Sequence, residues 1–306
     1  MRMIAHVVTA GGLAVALAGF AAPAYAADPA LLPPSVREAG VNSGYSASWM
    51  CEAGLKPLWQ GVPDGAAQVM RFTFSSGHAL FWRSVTIIQL PDGIGFETAA
   101  AMTMRGLTSA YLMRRIHDFK PGDSILLHAA AGGVGLIVAQ WAKLLGLTVI
   151  GTVSSDAKAE LARAHGCDFT IDYSREDVAT RVRALTGGAG VDVVFDSVGK
   201  STFIGSLDSL KRRGLMVCVG TASGPIDGFN PQLLAMKGSL YLTRPALADY
   251  IADPAEKEAL AGELFDHVAS GRIKIEINQR YALQDAAQAH RDLESRQTTG
   301  SSVFII

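Results

Sequence analysis

The sequence has few cysteines and almost no net charge, and each of these features excludes a class of protein. Only Cys51, Cys167 and Cys218 occur among 306 residues, which is too few for a disulfide framework. The formal net charge is −1 at pH 7, so no nucleic-acid-binding or membrane-binding face is indicated. After residue 30 no apolar run is long enough to span a bilayer. The length allows two globular domains with a large core.

A glycine-rich corner between two apolar runs is the most informative stretch. Residues 124–129 are predicted as a strand, 130–135 as a tight turn, and 148–153 as a second strand. Between them, Ile137, Val138 and Trp141 share one face of a predicted helix. A strand, a glycine turn, a helix and a strand within about thirty residues form the arrangement that binds dinucleotides.

The turn itself suits a pyrophosphate, because glycines let the backbone come close and the first helical N–H groups point at the anion. In the G-x-G-x-x-G fingerprint, Gly132 and Gly135 are in place, while Ala130 stands at the first glycine. A turn used only for packing is the alternative. The predicted cofactor contacts here are Ala131, Gly132, Gly133, Val134 and Gly135.

The end of the second strand predicts which dinucleotide is bound. An NAD site usually carries an acid there, which holds the ribose hydroxyls. Here the strand ends in hydroxyl residues, followed by Asp156 and then Lys158. Hydroxyls with a lysine suit a 2′-phosphate, and a charge-assisted hydrogen bond contributes about 1.5–3 kcal/mol. We therefore predict NADPH, with contacts at Gly151, Thr152, Ser154, Ser155 and Lys158; a solvated Lys158 on the next helix is the alternative.

Residues 89–248 alternate between helix and strand patterns. A helix is predicted over 97–115, with a break near 106–108. Further strands are predicted at 169–171, 191–196, 214–220 and 239–243, separated by helices over 156–165, 175–185, 203–211 and 231–236. Six strands with helical crossovers predict a doubly wound parallel α/β Rossmann sheet.

The two ends of the chain are predicted to form a second, β-rich domain. Residues 249–306 contain predicted helices at 254–270 and 283–295 and strands at 273–277 and 302–306, which would return to that domain. Residues 27–88 show little periodicity apart from one strand at 83–89. This region is interpreted as a diverged or incomplete catalytic domain, or as a mistranslated start.

Residues 1–26 have the pattern of a secretory signal peptide. A short basic start and an apolar stretch precede Ala24-Tyr25-Ala26, which is an A-x-A cleavage pattern. Export conflicts with the use of NADPH, which we expect to be scarce outside the cytosol. The cofactor argument covers more of the chain, so a cytoplasmic location is favoured and export remains the alternative.

Seven short motifs lie at residues 90–94, 105–108, 128–135, 195–199, 237–245, 289–294 and 299–302. Together they resemble the medium-chain dehydrogenase/reductase superfamily and, within it, the zinc-free quinone oxidoreductases. The resemblance covers residues 90–306 and implies a GroES-like domain before them, which is not recognisable in residues 27–88.

The resemblance also implies roles for individual residues. Tyr173 would lie by the adenine, Thr108 near the nicotinamide and Ser302 near the entrance of the cleft. Tyr173 could instead be an ordinary surface aromatic, and Thr108 could simply cap part of a helix. Arg244 could be an ion pair at a sheet edge. The positions implied on the nicotinamide side are Val219, Gly220, Thr221, Leu242, Thr243 and Arg244, and Ser197 is a further predicted cofactor contact.

Metal and covalent catalysis are not indicated. Zinc-containing relatives carry a Gly-His-Glu segment and closely spaced cysteines, whereas Gly77-His78 is followed here by Ala79. No Ser, His and Asp set has a nucleophile elbow. We predict no metal and name no catalytic acid, base or nucleophile.

By resemblance, the chain is expected to be an NADPH-dependent quinone reductase that passes a hydride, or single electrons, to a quinone-like acceptor. An enone or enoyl reductase of the same superfamily is one alternative. An NADPH-binding protein impaired by an incomplete lid domain is another. The strand at 239–243 is predicted to be the last of the sheet, with an edge that needs covering. Because the family pairs two subunits in this region, a homodimer is expected.

Overall fold

The computed structural model describes residues 56–58, 69–73, 79–83, 88 and 90–305. The chain divides into two compact units, a larger one (residues 93–279 and 298–301) and a smaller one (1–92, 280–297 and 302–306). In the smaller unit, β1 (Lys56–Leu58), β2 (Val69–Thr73) and β3 (Ala79–Arg83) form an antiparallel sheet. The signal-like segment 1–26 and most of the strand predicted at 83–89 lie outside the described residues. The predicted domain boundaries stay predictions.

A parallel sheet forms the centre of the larger unit. Its strands lie in the spatial order β6-β5-β4-β7-β8-β9, and every neighbouring pair is parallel. This order confirms the predicted doubly wound sheet, whose strand order reverses between β4 and β7. The strands are β4 (Ser124–Leu127), β5 (Thr148–Val153), β6 (Phe169–Asp172), β7 (Val191–Asp196), β8 (Leu210–Cys218) and β9 (Tyr241–Thr243).

Helices connect successive strands and cover both faces of the sheet. The first helix, α1 (Phe96–Arg114), precedes β4. The crossover helices are α2 (Gly133–Leu144), α3 (Asp156–Ala164), α4 (Val178–Leu185), α5 (Phe203–Ser209) and α6 (Gln232–Met236). Because the sheet is covered on both faces, its central strands are continuous apolar runs, with Leu126, Ile150 and Val194 fully buried. Among the described residues, Trp141 of α2 is the largest fully buried side chain.

The end of α5 is set by a residue far away in the sequence. We predicted this helix to run to Lys211, but β8 begins at Leu210. The guanidinium of Arg183 donates to the carbonyls of Asp208 and Leu210 at 2.8 and 2.7 Å. These bonds hold the carbonyls of residues 208 and 210 where the chain leaves the helix and enters the strand.

The predicted break in α1 is wrong, because the helix is continuous through Gly106. A Cβ on Gly106 would lie 2.5 Å from Cδ2 of the buried Leu264, which belongs to α8 (Pro254–Ala269). Gly106 therefore allows α1 and α8 to approach closely, and it does not interrupt α1.

Between β9 and α8 lies the short helix α7 (Leu247–Tyr250).

The strand predicted at 273–277 is also wrong over most of its length. Lys274 N donates to Gln140 Oε1 at 2.8 Å, and Gln140 Nε2 donates to Lys274 O at 3.0 Å. An amide side chain from α2 thus occupies the backbone groups that a strand partner would take. The strand β10 begins only at Ile277.

The last elements form a small separate sheet. Among the described residues, β10 (Ile277–Ala282) pairs with β11 (Ser301–Ile305). The predicted helix at 283–295 starts as a 3₁₀ turn over Leu283–Asp285 and continues as α9 (Ala286–Glu294). No helix in the described part of the chain has both the length and the apolar content needed to cross a bilayer.

Two glycines in packed helices give a matched stability test. Gly106→Ala and Gly262→Ala both gain helix propensity, but a Cβ on Gly262 would meet nothing within 4 Å. We expect Gly262→Ala to stabilise the protein by about 0.5–1 kcal/mol, and Gly106→Ala to destabilise it by about 1–3 kcal/mol through overpacking against Leu264. Urea denaturation followed by circular dichroism measures both. Equal stabilisation by the two variants would contradict the close approach of α1 and α8.

Candidate cofactor-binding site

Most of the residues predicted to bind the cofactor lie at the carboxyl edge of the parallel sheet. In sheet order, Tyr173 follows β6, and Ser154, Ser155 and Lys158 follow β5. Ala131 to Gly135 follow β4, Ser197 follows β7, and Val219, Gly220 and Thr221 follow β8. Leu242 and Thr243 are the last two residues of β9, and Arg244 follows them. Strands lie about 4.8 Å apart, so six strands span about 24 Å, enough for an extended dinucleotide. The reversal of strand order between β4 and β7 creates the crevice in which such ligands bind.

The glycine turn after β4 is shaped by close backbone contacts. Gly132 N donates to Ala129 O at 2.9 Å, and Ala129 has a φ of +52°. A Cβ on Gly135 would lie 2.5 and 2.6 Å from the carbonyl oxygens of Ala129 and Ala130. Only glycine therefore fits at position 135. Helix α2 begins at Gly133, and its first N–H groups, which have no partner within the helix, face this edge.

Two further segments contact the turn. Gly300 N donates to Ala131 O at 2.9 Å, so residues 298–301 run alongside it. A Cβ on Gly133 would lie 2.3 Å from Cδ of Arg105, so the Arg105 side chain crosses the start of α2. Burial lowers the pKa of Arg105 to about 10, which leaves it charged at neutral pH. A cation thus lies beside the predicted pyrophosphate position.

Our prediction missed Arg105, although a sequence signal was present. It begins the motif at residues 105–108 that ends in the predicted contact Thr108. Both residues lie on α1, three positions apart and hence on one helical face.

At the predicted adenosine end, the structure brings four predicted residues together. Lys158 Nζ donates to Ser154 Oγ at 3.5 Å, and Ser155 caps α3 by accepting from Lys158 N at 3.4 Å. Tyr173 N donates to Val153 O at 3.2 Å, which joins the ends of β5 and β6. The Tyr173 side chain is exposed. These groups form an open polar corner with one lysine.

Two other predicted contacts on β5 face the interior. A Cβ on Gly151 would lie 2.6 Å from Cβ of Ala130 and 2.7 Å from Sγ of Cys167, so Gly151 allows close packing under the turn. Thr152 is buried, and its hydroxyl lies 3.1 Å from Nδ1 of His128. Their roles in cofactor binding stay predictions, and the structure gives each a packing role.

Beneath the site lies a buried hydrogen-bond chain that the sequence did not indicate. His128 Nε2 lies 3.0 Å from Ser206 Oγ, and Ser206 Oγ donates to Asp196 Oδ2 at 2.7 Å. Because the Ser206 proton goes to the carboxylate, Ser206 must accept from His128 Nε2–H. Burial lowers the pKa of His128, although Asp196 opposes this, so the ring is neutral at neutral pH with its single proton on Nε2. Nδ1 then accepts from the Thr152 hydroxyl.

At the predicted nicotinamide end, two turns interlock. Val219 N donates to Asp196 O at 2.7 Å, and a Cβ on Gly220 would lie 2.6 Å from Ser197 O. Arg244 Nη1 donates to the carbonyls of Val219 and Pro245 at 3.3 and 3.0 Å. The structure thus brings Ser197, Gly220 and Arg244 together. The contacts of Arg244 described here are with carbonyls, whereas the alternative interpretation had it in an ion pair.

A stacked tyrosine pair adjoins this end. The rings of Tyr111 and Tyr250 stack with centroids 4.4 Å apart and planes 9° apart. Burial and Tyr250 raise the pKa of Tyr111 to about 12, while Arg244 opposes the rise. Tyr111 lies one turn after Thr108 on α1. Ser302 belongs to the smaller unit, where it is buried in β11, and its predicted place by the cleft stays a prediction.

Within the described ranges, no three His, Cys, Asp or Glu side chains converge as metal ligands would. The described residues therefore offer no site that fits zinc. The predicted absence of a metal stays a prediction for the whole chain.

The chain is similar to known oxidoreductases. Residues 133–250 match the family described as zinc-binding dehydrogenase. A quinone oxidoreductase of Pseudomonas aeruginosa is 55% identical over 219 residues, which are 72% of this chain and 67% of that protein. A 2-haloacrylate reductase of a Burkholderia species is 44% identical over 222 residues, 72% of this chain and 67% of that protein. The crystal structure of Escherichia coli quinone oxidoreductase complexed with NADPH covers 80% of this chain and 78% of its own, with a TM-score of 0.70 and 44% identity.

The state of His128 can be tested by its titration. Its pKa is lowered from 6.5, so below about pH 6.5 the unfolded chain binds a proton that the folded chain does not. The free energy of unfolding therefore decreases as the pH falls below that value. Between the unfolded-state and folded-state pKa values the decrease is about 1.4 kcal/mol per pH unit for one proton. We expect His128→Gln to be less stable at pH 8 but to lose less stability between about pH 6.5 and 5.

Urea unfolding across pH measures this loss. His267, whose pKa is also lowered by burial, is unchanged in the variant and so cancels from the comparison. Nitrogen-15 NMR should show a neutral ring protonated on Nε2. A ring protonated on Nδ1, or equal pH dependence in both proteins, would contradict the assigned chain.

Proposed function

The chain belongs to the quinone oxidoreductase family of the medium-chain dehydrogenase/reductase superfamily, and we propose that it uses NADPH to reduce a quinone-like acceptor. The observation that supports this most directly is the order of side chains along the carboxyl edge of the sheet. A corner with Lys158 lies at one end, the glycine turn in the middle, and Ser197 with Arg244 at the other. This order matches the adenosine, pyrophosphate and nicotinamide of one extended dinucleotide.

The residues fit NADPH in three respects. The start of α2 offers backbone N–H groups, and Gly135 allows the close contact of helix and turn beneath them. Arg105 adds a positive charge beside them. At the adenosine end, Lys158 and Ser154 could together bind a 2′-phosphate.

When bound, NADPH would supply a hydride from its nicotinamide to the acceptor. Quinones accept hydride readily, so the chain's part is to hold the two reactants in line and to exclude water. The interlocked turns at Ser197 and Gly220 would form a rigid surface against the nicotinamide. The hydrogen bonds from Arg244 to two carbonyls would hold the arginine side chain beside this surface. We assign no side chain as acid or base. Metal-free chemistry is part of the proposal.

An acceptor with an activated carbon–carbon double bond is the second candidate. It is favoured by the 44% identity to a protein named 2-haloacrylate reductase, because that name denotes the reduction of an acrylate. The alternative of an NADPH-binding protein without activity concerns residues outside those described, and the assay below tests it. A cytoplasmic location follows from the proposed cofactor.

We also propose a homodimer that forms through the β9 edge. This strand is the last of the described sheet, and Tyr241 on it is 62% exposed. A second copy would cover an edge that otherwise invites unwanted pairing. Light scattering after size-exclusion chromatography should give twice the chain mass. A monomer mass at micromolar concentration would refute this arrangement.

The cofactor can be tested by fluorescence titration of the full chain with NADPH and NADH. We expect NADPH to bind more tightly, and Lys158→Gln to weaken NADPH about tenfold while leaving NADH nearly unchanged, because only NADPH carries the 2′-phosphate. Lys120→Gln is the matched control, since Lys120 precedes β4 at the opposite edge of the sheet.

Steady-state oxidation of NADPH then tests the acceptor, with a benzoquinone, a naphthoquinone and 2-chloroacrylate in parallel. Saturable turnover with the quinones supports the first proposal, and turnover with 2-chloroacrylate alone supports the second. Binding without turnover of any acceptor would favour the inactive NADPH-binding protein. Failure to bind either nucleotide would refute the function altogether.

A further inference from the structure

Two carboxylates flank the corner at the predicted adenosine end, and one arginine forms an ion pair with each. Arg175 Nη1 lies 3.1 Å from Oδ1 of Asp156, and Arg175 Nε lies 3.3 Å from Oδ2 of Asp172. Asp156 is the first residue of α3, directly after the cap Ser155. Asp172 is the last residue of β6, directly before Tyr173. The arginine therefore reaches from the turn after β6 to the start of α3.

The turn after β6 is folded so that Arg175 points this way. Asp172 Oδ1 accepts from Ser174 N at 3.0 Å and from Ser174 Oγ at 2.6 Å, and Arg175 N donates to Asp172 O at 3.0 Å. These bonds from Ser174, with a smaller attraction from Arg175, lower the pKa of Asp172, so it is ionised at neutral pH. The side chain of Asp172 thus organises the turn and carries a full negative charge beside Tyr173.

Asp156 has the chemistry of a residue that would favour the other nucleotide. An acid just after the second strand is what NAD-binding sites use to hold the ribose hydroxyls. The same acid repels a 2′-phosphate, which carries close to two negative charges at neutral pH. In this chain the carboxylate of Asp156 is bonded to Arg175 at the start of α3, within two residues of both Ser154 and Lys158.

We propose that Arg175 determines the preference for NADPH over NADH, and this inference rests on the function proposed above. Arg175 offsets one of the two negative charges of Asp156 and Asp172 and so makes the potential less negative where the 2′-phosphate would lie. With Lys158, the corner then holds two cations against two carboxylates. Without Arg175 the balance becomes negative, and the phosphate, but not the ribose hydroxyl of NADH, is repelled.

The fold does not depend on this contact. Arg175 is 63% exposed and Asp156 77% exposed, and ion pairs at such positions contribute little to stability. Variants at Arg175 should therefore fold normally, so a change in nucleotide preference can be read without a change in stability. Circular dichroism and thermal unfolding check this for each variant.

The experiment measures dissociation constants of NADPH and NADH for the full chain and its variants by fluorescence titration. We expect Arg175→Gln to weaken NADPH about five- to tenfold, from the lost attraction across a few ångströms of water, and to leave NADH within about twofold. Arg175→Lys keeps the charge and should retain most of the preference. Arg181→Gln is the matched control. Arg181 lies on α4, is similarly exposed and forms an ion pair with Glu176.

Two further measurements test whether the effect of Arg175 on NADPH affinity is electrostatic. The loss in Arg175→Gln should shrink when sodium chloride is raised from about 50 mM to about 500 mM, because salt screens exposed charges. Adding Asp156→Asn to Arg175→Gln should recover part of the NADPH affinity, since the repelling carboxylate is then gone.

The outcomes separate this inference from the proposed function. If the wild type prefers NADPH and Arg175→Gln keeps that preference, or weakens both nucleotides equally, the role of Arg175 is refuted while the function stands. If the wild type shows no preference for NADPH, the cofactor proposal and the role of Arg175 fail together.

Discussion

A single buried carboxylate, that of Asp196, organises the point where the sheet reverses its strand order. A charge removed from water is costly unless hydrogen bonds replace the lost solvation. Asp196 accepts from the backbone of Val198 and Gly199 at 2.8 and 2.9 Å, and from the hydroxyls of Thr202 and Ser206 at 2.7 Å. These donors fold the chain sharply after β7, which places Ser197 at the crevice.

The same carboxylate connects the two halves of the sheet. Through Ser206 and His128 it reaches Thr152 on β5, so one chain of hydrogen bonds passes under three strands. Such a chain is satisfied only in one arrangement of its members, because each hydroxyl has one proton to donate. The surfaces above it, which hold opposite ends of the proposed cofactor, are therefore fixed relative to each other by the interior of this unit. Rigid placement of this kind is what hydride transfer requires of a protein.

The sequence predicted the sheet well because its strands are buried on both faces and are therefore apolar runs separated by clear turns. The family resemblance, the NADPH-binding relatives and the strand order agree with that prediction. The failures come from contacts between distant residues. The side chain of Gln140 hydrogen-bonds to the backbone of Lys274, which lies 134 positions away. The close approach of Leu264 leaves room only for a glycine at position 106 of α1. Arg175 escaped notice for the same reason, because its proposed role depends on an acid at the start of α3, 19 positions earlier. The individual cofactor contacts stay predictions.

The buried cysteines have a consequence for the proposed reduction of quinones. Quinones and other activated alkenes are electrophiles that add to thiolates, so an enzyme that binds them risks being alkylated by its own substrate. Cys167, under Gly151, and Cys218, at the end of β8, are both buried, and burial, aided by neighbouring aspartates, raises the pKa of their thiols to about 12 and about 11. Each remains a protonated thiol at neutral pH, the form that reacts slowly. Among the described residues, the packing that supports the sheet also shields its sulfur from the chemistry at its edge.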